Sequence, residues 1–514
     1  MHSSLRRAFR HSLFSVVFSS TALLAQSNSG TVTGTVTDPS GAVVPGASVS
    51  MSNPVSEYSR TVTTDKAGHY QFTSLPFNPY HLTASATGFA PVAQDVDVRS
   101  TVPVTLTTAL KVGAASSTVT VEGGGDLVES DSTFHTDVDR SLFQKVPLES
   151  QSSSLSSLVT LTSPGVAADS NGLFHGLGDH ASNSFSIDGQ PITDQQSKVF
   201  SNQFPSNSIQ SIEVISGAPP AEFGGKTSLV IVATTRSGQG VTTPTGSVST
   251  SYGAFGSVTA GIDVGYGGEN WGNFFEADGL NTGRFLDPPE FVVFHDKGNE
   301  QNIFDRVDRQ FTPVDAIHVN LNYSRSWFQT PNSYDNLNVQ NVVSGGSGPD
   351  PIFSSVGSAD QRSKIETFDI APTYTRTIGA NSIFNFGPYI RKDAYNYYPS
   401  GVPLADLGPA NLQTSSIAQS RSLTDTGVHT DFSYVKGINN IKLGANYSQT
   451  FLREHDGLGV IDPTYNSPAS ITLPTTLPSL DSQVRRSAHR SAWHRTIQRS
   501  TRTAPTIRYL RRTT

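Results

Sequence analysis

From Thr245 to about residue 454 the chain changes polarity with almost every residue. In SVTAGIDVGYG, Val258, Ala260, Ile262, Val264 and Tyr266 fall in one phase, with Ser257, Thr259, Gly261, Asp263 and Gly265 in the other. AIHVNLNYSRSW sets Ile317, Val319, Leu321 and Tyr323 against His318, Asn320, Asn322 and Ser324. IKLGANYSQTF sets Leu443, Ala445 and Tyr447 against Lys442, Gly444, Asn446 and Ser448. Side chains alternate across a strand, so a strict period of two over about ten residues predicts a sheet with one apolar and one polar face. That is the pattern of a transmembrane barrel, apolar toward lipid and polar toward the lumen; a secreted β-sandwich shares the alternation. Roughly nine such strands fit between 245 and 454. Ile378-Gly379-Ala380-Asn381 and Gly437-Ile438-Asn439-Asn440 read as tight turns, whereas the polar tracts near 329–362 and 398–420 are long. Short turns at one end and long loops at the other are the asymmetry of such barrels. Tyr395, Tyr397 and Tyr398 are expected to belong to an aromatic girdle.

Composition agrees with a mainly β chain. Hydrophobic residues make up 35% and charged residues 15%, with 44 Gly and 30 Pro. Gly, Pro and Asn set turns, while Thr, Val, Tyr and Phe suit a pleated, half-buried surface. Cysteine is absent, which excludes disulfides, thiolate metal sites and a Cys nucleophile. Residues 1–25 read as a secretory signal peptide: Arg6, Arg7 and Arg10 precede LFSVVFSSTALLA, which ends on the small residue Ala25. That apolar run is shorter than the roughly 20 residues a spanning helix needs.

Residues 30–110 predict a small β-sandwich. GTVTGTVTDPSGAVVPGASVSMSN and TVTTDKAGHYQFTSLPFNPYHLTASATGFAP alternate strands with the turns Asp38-Pro39-Ser40-Gly41 and Asp65-Lys66-Ala67-Gly68, and Tyr70 and Phe72 point to one face. The run from Gly34 to Val49, the run from Gly68 to Leu75, and Gly88-Phe89 resemble the carboxypeptidase-regulatory-like domain. That resemblance implies a transthyretin-like, non-catalytic module, some relatives of which bind carbohydrate. Residues 111–130 are a linker by composition, with a flexible Gly123–Gly125 tract. Within it, the β-prone Thr118, Val119, Thr120 and Val121 are a candidate partner-binding segment, able to add as a strand to a partner's sheet. The last strand of the preceding sandwich is the other reading of that segment.

Residues 131–240 combine a helix with strands. SSSLSSLVTLTSPGV repeats Leu155, Leu158 and Leu161 at helical spacing. A buried hairpin follows, in which Ile212-Glu213-Val214-Ile215-Ser216-Gly217 leads through Phe223-Gly224 to LVIVATT. In order, Ser163-Pro164-Gly165-Val166, Ile187-Asp188-Gly189-Gln190, the Ile212 strand and Phe223-Gly224 resemble the plug domain of TonB-dependent outer-membrane receptors. Thr227 and Ser228 stand where that family often has a Gly pair.

Together the resemblances imply an N-terminal β-sandwich, an α+β plug and, over 245–484, the N-terminal part of an outer-membrane β-barrel. Function then follows as an expectation: a receptor in the outer membrane of a Gram-negative cell, taking up a large extracellular solute. Carbohydrate is one ligand class. The membrane lipid surrounds the barrel, and an inner-membrane TonB-type energy-coupling protein is the partner. A non-transporting cell-surface adhesion or carbohydrate-binding protein is the alternative. No catalytic, cofactor-binding or metal-ligating residue is assigned. His175 and His180 sit in a Gly-rich loop without metal-site spacing, and His295-Asp296 and His429 are isolated. No Walker A motif, nucleophile elbow or dinucleotide fingerprint occurs. No nucleic-acid partner is expected from an acidic chain.

The last thirty residues, 485–514, break the pattern. They hold nine Arg and no Asp or Glu, and they end Arg-Arg-Thr-Thr rather than on the aromatic residue usual for such barrels. Receptors of this kind close about twenty-two strands around the plug, and a barrel of eight to ten has room only for side chains. The expectation is a truncated or frameshifted barrel. Translating the gene beyond codon 484 in the other two frames checks it, and absence of further alternating strands in both frames refutes it.

Overall fold

The computed structural model describes residues 30–53, 58–75, 78–98, 102–112, 135–143, 145–146, 151–168, 174–176, 183–192, 202, 204–216, 219, 223, 229–268, 270–286, 293–294, 296–312, 314–330, 332–333, 361–379, 381–398, 415–436, 439–460, 498–508 and 511–513.

Nine strands come first: β1 (Gly30–Thr37), β2 (Ser48–Asn53), β3 (Tyr58–Thr63), β4 (His69–Leu75), β5 (Pro79–Ser85), β6 (Phe89–Ala90), β7 (Val92–Asp97), β8 (Val104–Ala109) and β9 (Lys111–Val112). Sheets β4-β1-β8 and β3-β2-β5-β7 provide the two layers. Between them Val32, Val36, Val49, Met51, Phe72, Leu75, Tyr80 and Leu82 are fully buried. Both turns read from sequence use the same device. Asp38 accepts from the amides of Ser40 and Ala42 at 2.8 and 3.0 Å, and Asp65 from those of Ala67 and His69 at 2.8 Å each. A short polar side chain thus supplies the turn's own hydrogen bonds.

The second unit holds β10 (His135–Asp139), α1 (Arg140–Phe143), α2 (Gln151–Thr162), β11 (Val166–Ala168), β12 (Phe174–Gly176), β13 (Asn183–Ile187), β14 (Gln190–Ile192), β15 (Ile209–Ser216) and β16 (Leu229–Thr235). Its main sheet runs β10-β15-β16-β13-β14. All seven residues of β16 are buried, because the strand is central and covered on both faces. Helix α2 buries Leu155, Leu158 and Val159, but Leu161 is 54% exposed. The expected third Leu of the stripe therefore lies off it: at 3.6 residues per turn the face of Leu155 and Leu158 continues to Val159, not to position 161. Gly165, at φ 78°, ends the helix in the left-handed region.

The remaining strands are β17 (Thr245–Tyr252), β18 (Val258–Gly268), β19 (Trp271–Thr282), β20 (Val293–Phe294), β21 (Gly298–Thr312), β22 (Asp315–Gln329), β23 (Asn332–Ser333), β24 (Arg362–Ile378), β25 (Ser382–Tyr398), β26 (Ser415–Lys436), β27 (Asn439–Val460), β28 (Gln498–Arg508) and β29 (Arg511–Thr513). All but the small β20–β23 pair join one antiparallel sheet, ordered β17-β18-β19-β21-β22-β24-β25-β26-β27-β28 with β29 also on β27. Within the Arg-rich tail, the described residues Gln498–Arg508 and Arg511–Thr513 pair with β27. A free strand edge offers main-chain groups to any extended segment, whether or not its side chains alternate.

The apolar sets of the alternating segments share the outer face of this sheet, where Val258, Ile262, Tyr266, Tyr323, Leu443 and Tyr447 are each exposed. Asp263, Asn320, Asn322 and Ser324 are buried on the inner face. The expected girdle is corrected by register. Tyr398 is exposed, but Tyr395 packs against the inner cluster of Leu280, Phe285, Phe328 and Ile365. Tyr397 pairs with Gln419 on the same phase. Adjacent tyrosines on a strand cannot all face lipid. Two inner-face glycines lie under rings across the sheet. A Cβ at Gly387 would meet His429 at 2.2 Å, and one at Gly427 would meet Tyr389 at 2.5 Å.

Truncating a ring should cost very different amounts on the two sides of the chain. Phe72→Ala, in the dry sandwich core, is expected to lose about 3–5 kcal/mol. Phe368→Ala, on the outer face, is expected to lose no more than about 1 kcal/mol in detergent. Urea titration of each variant, followed by protease sensitivity of the sandwich and of the large sheet, measures both.

Candidate functional site

The second unit meets the inner face of the large sheet through charged and polar groups, and one short turn organises them. Ile187 and Gln190 pair across a two-residue connection. Asp188 and Gly189 sit there at φ 48° and 83°, the mirror-image turn in which Asp and Gly are tolerated. The turn projects the Asp188 carboxylate between β16 and the wall. Thr235 donates to it through its amide at 3.0 Å and its hydroxyl at 2.6 Å. From the wall, Asn320 Nδ2 donates at 2.6 Å and Arg306 Nη1 at 3.3 Å.

Arg306 completes the connection. Its Nη1 also donates to Thr235 Oγ1 at 2.8 Å, while Nε and Nη2 donate to Asp308 Oδ1 at 3.0 and 2.9 Å. Asp308 Oδ2 accepts from Ser237 Oγ at 2.7 Å. One buried guanidinium therefore joins two carboxylates, one from each body. Burial alone would raise the Asp188 carboxyl, but Arg306, His318 and the two Thr235 hydrogen bonds outweigh it and hold it below its ordinary 3.8.

Three further contacts extend the seam. Arg236 donates to Asp263 at 2.9 Å and lies 4.2 Å over the Phe274 ring. Gln190 donates to Asp369 at 2.6 Å. Asn202 donates to the Ser324 carbonyl at 2.9 Å and accepts from Ser326 Oγ at 2.8 Å. An apolar patch lies within the ring of polar contacts, where Phe204 stacks edge-on against Phe304 at 5.2 Å. Where the chain leaves the plug, Gly238 and Gln239 cross directly over wall glycines. A Cβ on Gly272 would lie 2.1 Å from the Gln239 nitrogen, and one on Gly267 2.6 Å from the Gly238 oxygen. Backbone meets backbone there, and only glycine fits.

Thr118, Val119, Thr120 and Val121 lie outside the described residues. His175 lies on β12, opposite Ala167. Asp188 was legible only as part of a turn motif, and Arg306, Asp308 and Arg236 were not singled out. A usable signal existed for Asp308, Arg306 and Asp263: ionisable residues in the polar phase, well inside their strands, need partners from another body.

Residues 31–111 match the carboxypeptidase regulatory-like domain, and residues 130–228 match the TonB-dependent receptor plug domain. Over 227 residues the chain is 27% identical to the TonB-dependent transporter Oar of Myxococcus xanthus, covering 42% of this chain and 21% of that protein. The chain carries the plug domain of TonB-dependent receptors behind a carboxypeptidase regulatory-like domain. It spans about a fifth of the length of that curated relative. Among solved structures it is similar to FpvA of P. aeruginosa bound to heterologous pyoverdines, with a TM-score of 0.47, 14% identity, 64% of this chain and 44% of that one. It is also similar to BauA, the ferric preacinetobactin receptor of Acinetobacter baumannii, with a TM-score of 0.46, 9% identity, 75% of this chain and 53% of that one. TonB-dependent receptors are outer-membrane β-barrel proteins and not enzymes, which assigns the receptor to the outer membrane. The second unit is its plug, and the seam is where plug meets barrel wall.

Asp188→Asn is expected to weaken plug retention by about 1.5–3 kcal/mol, because a charge-assisted bond is lost while Arg306 stays paired with Asp308. Acid should act in the same direction. A carboxyl depressed below 3.8 contributes stability that is complete above about pH 4 and lost as pH falls through its lower folded-state value. Limited proteolysis of the plug in detergent between pH 6 and pH 2 reads both effects, and an acid-insensitive plug that is also unmoved by Asp188→Asn would exclude this role.

Proposed function

We propose that this receptor takes up a large solute across the outer membrane, with the plug as its gate. The polar character of the seam is the observation that carries this reading. A plug held by apolar packing would lose its contacts outright when shifted. One held by Arg306, Asp188, Asn320, Asp308 and Arg236 exchanges them for water, so movement costs only the net worth of each bond. Similarity to a protein described as a transporter agrees with it. The outer membrane has no nucleotide supply, so the work is done through an inner-membrane energy-coupling protein. Thr118–Val121 is the segment proposed to be grasped, adding as a strand to that partner. Carbohydrate is the ligand class proposed, on the strength of the N-terminal sandwich alone.

Val119→Pro removes one main-chain donor from that segment. Uptake of a labelled oligosaccharide is expected to fall at least tenfold, while the amount of receptor resisting carbonate extraction stays the same. Normal uptake by the variant would free the segment of this role. Extraction of the unaltered receptor by carbonate would remove the transport reading altogether.

A further inference from the structure

The N-terminal sandwich reaches the face of the plug sheet that is turned away from α2. In β15 and β16 the phase of Ile212, Val214, Ile231 and Ala233 joins the main plug core, together with Leu155 and Leu158 of α2. The opposite phase places Ile215, Val230 and Val232 in a separate buried cluster. Register sets His135 beside Ile215 and Asp137 beside Glu213, so both side chains of β10 share that second face. Asn78, just before β5 of the sandwich, donates through Nδ2 to Asp137 Oδ2. Strand β4 of the sandwich also runs close to β15.

Both partners are held in place by their own bodies. The Asn78 carbonyl accepts from the Val98 amide at 3.1 Å, and the carbonyl of Pro79 accepts from Asn53 Nδ2 at 2.8 Å. Asn78 is buried. On the plug side Asp137 is fixed by its pairing on β10, and its carboxylate is buried with the His135 ring, whose Nε2 lies 3.9 Å from the same oxygen. A hydrogen bond to a carboxylate that has left water is among the stronger kinds.

Strand β10 is the part of the plug sheet that most needs such support. It has five residues and stands at the edge, with β15 as its neighbour among the described residues, and an edge strand is held on one side only. Peeling β10 from β15 must carry Asp137 away from Asn78 or drag the sandwich along. The contact is reversible. Asn78 Oδ1 is buried without a hydrogen-bond partner while docked and regains water on release, which offsets part of the bond that is lost. Docking also needs little affinity of its own. Residues 113–134 join β9 to β10, and a tether of that kind gives an effective concentration on the order of millimolar.

We propose that the sandwich is a catch on the plug. Docked through Asn78 and Asp137, it keeps β10 paired with β15; undocked, it leaves β10 free to separate from the sheet. The second face of the plug sheet is thus an intramolecular docking surface, and its occupant is the sandwich of the same chain. As a control on the gate, the catch rests on the reading of the plug as a gate. The docking itself does not, and it is measured without transport.

Hydrogen exchange of the full chain in detergent, read by mass spectrometry, tests the proposal. Asn78→Asp sets two carboxylates against each other, and the peptide carrying residues 135–139 should exchange about tenfold faster. Peptides from β1 and β5 should keep their protection, which shows the sandwich still folded. Asp137→Ala leaves the sandwich sequence untouched and should quicken β10 in the same way, so it decides the matter if Asn78→Asp unfolds the sandwich. Combining Asn78→Asp with Asp137→Asn puts a donor back opposite an acceptor and should restore slow exchange. Unchanged exchange of β10 in Asp137→Ala overturns the proposal, as does failure of the combined variant to slow it. A receptor that carried no solute but still showed these differences would lose the gate and keep the docking.

Discussion

A strand inside a bilayer has no water to satisfy its amides, so each strand must find another strand. The long antiparallel sheet meets that constraint with an almost unbroken register from β17 to β27. Once the backbone is committed to the sheet, alternation assigns every side chain to one of two environments. Most of the outward phase is apolar and meets the acyl chains, and the inward phase is mainly polar, with an apolar cluster around Phe328 and Phe304 beside it. The plug is the body that fills the inward side, and its seam is polar because the wall facing it is polar.

That inheritance explains why so few groups hold the plug and why they are charged. Ionisable residues in the inner phase are costly when buried alone, and the plug supplies their partners in a small number of concentrated places. Arg306 joins Asp188 to Asp308. Arg236 joins the plug's exit to Asp263. Between them, glycine-on-glycine crossings at Gly238, Gly267 and Gly272 let the chain leave the plug flush with the wall. An interface with this chemistry holds its geometry firmly, yet its contacts can be exchanged for water. The outer surface answers the complementary demand with exposed aromatic and aliphatic residues.

The parts misjudged from sequence have specific causes. Leu161 looked like part of the helix stripe because a spacing of three was counted twice in succession, whereas the true face advances by three and then by one to Val159. Tyr395, Tyr397 and Tyr398 were grouped by proximity in sequence, and a period of two separates them. The Asp188 seam escaped notice because its partners lie more than a hundred positions away, in Arg306 and Asn320.

Local order along the chain settled which residues form strands, which face of each strand is greasy, where the sandwich turns are stapled by Asp38 and Asp65, and which motifs mark a plug. These are short-range properties, since phase, turn chemistry and motif order all lie within a few neighbouring residues. Tertiary structure alone decided which inward charges meet across two bodies and which glycines lie under another backbone. Each of those depends on the register between strands distant in sequence, and a register is a relation between segments that neither segment carries by itself.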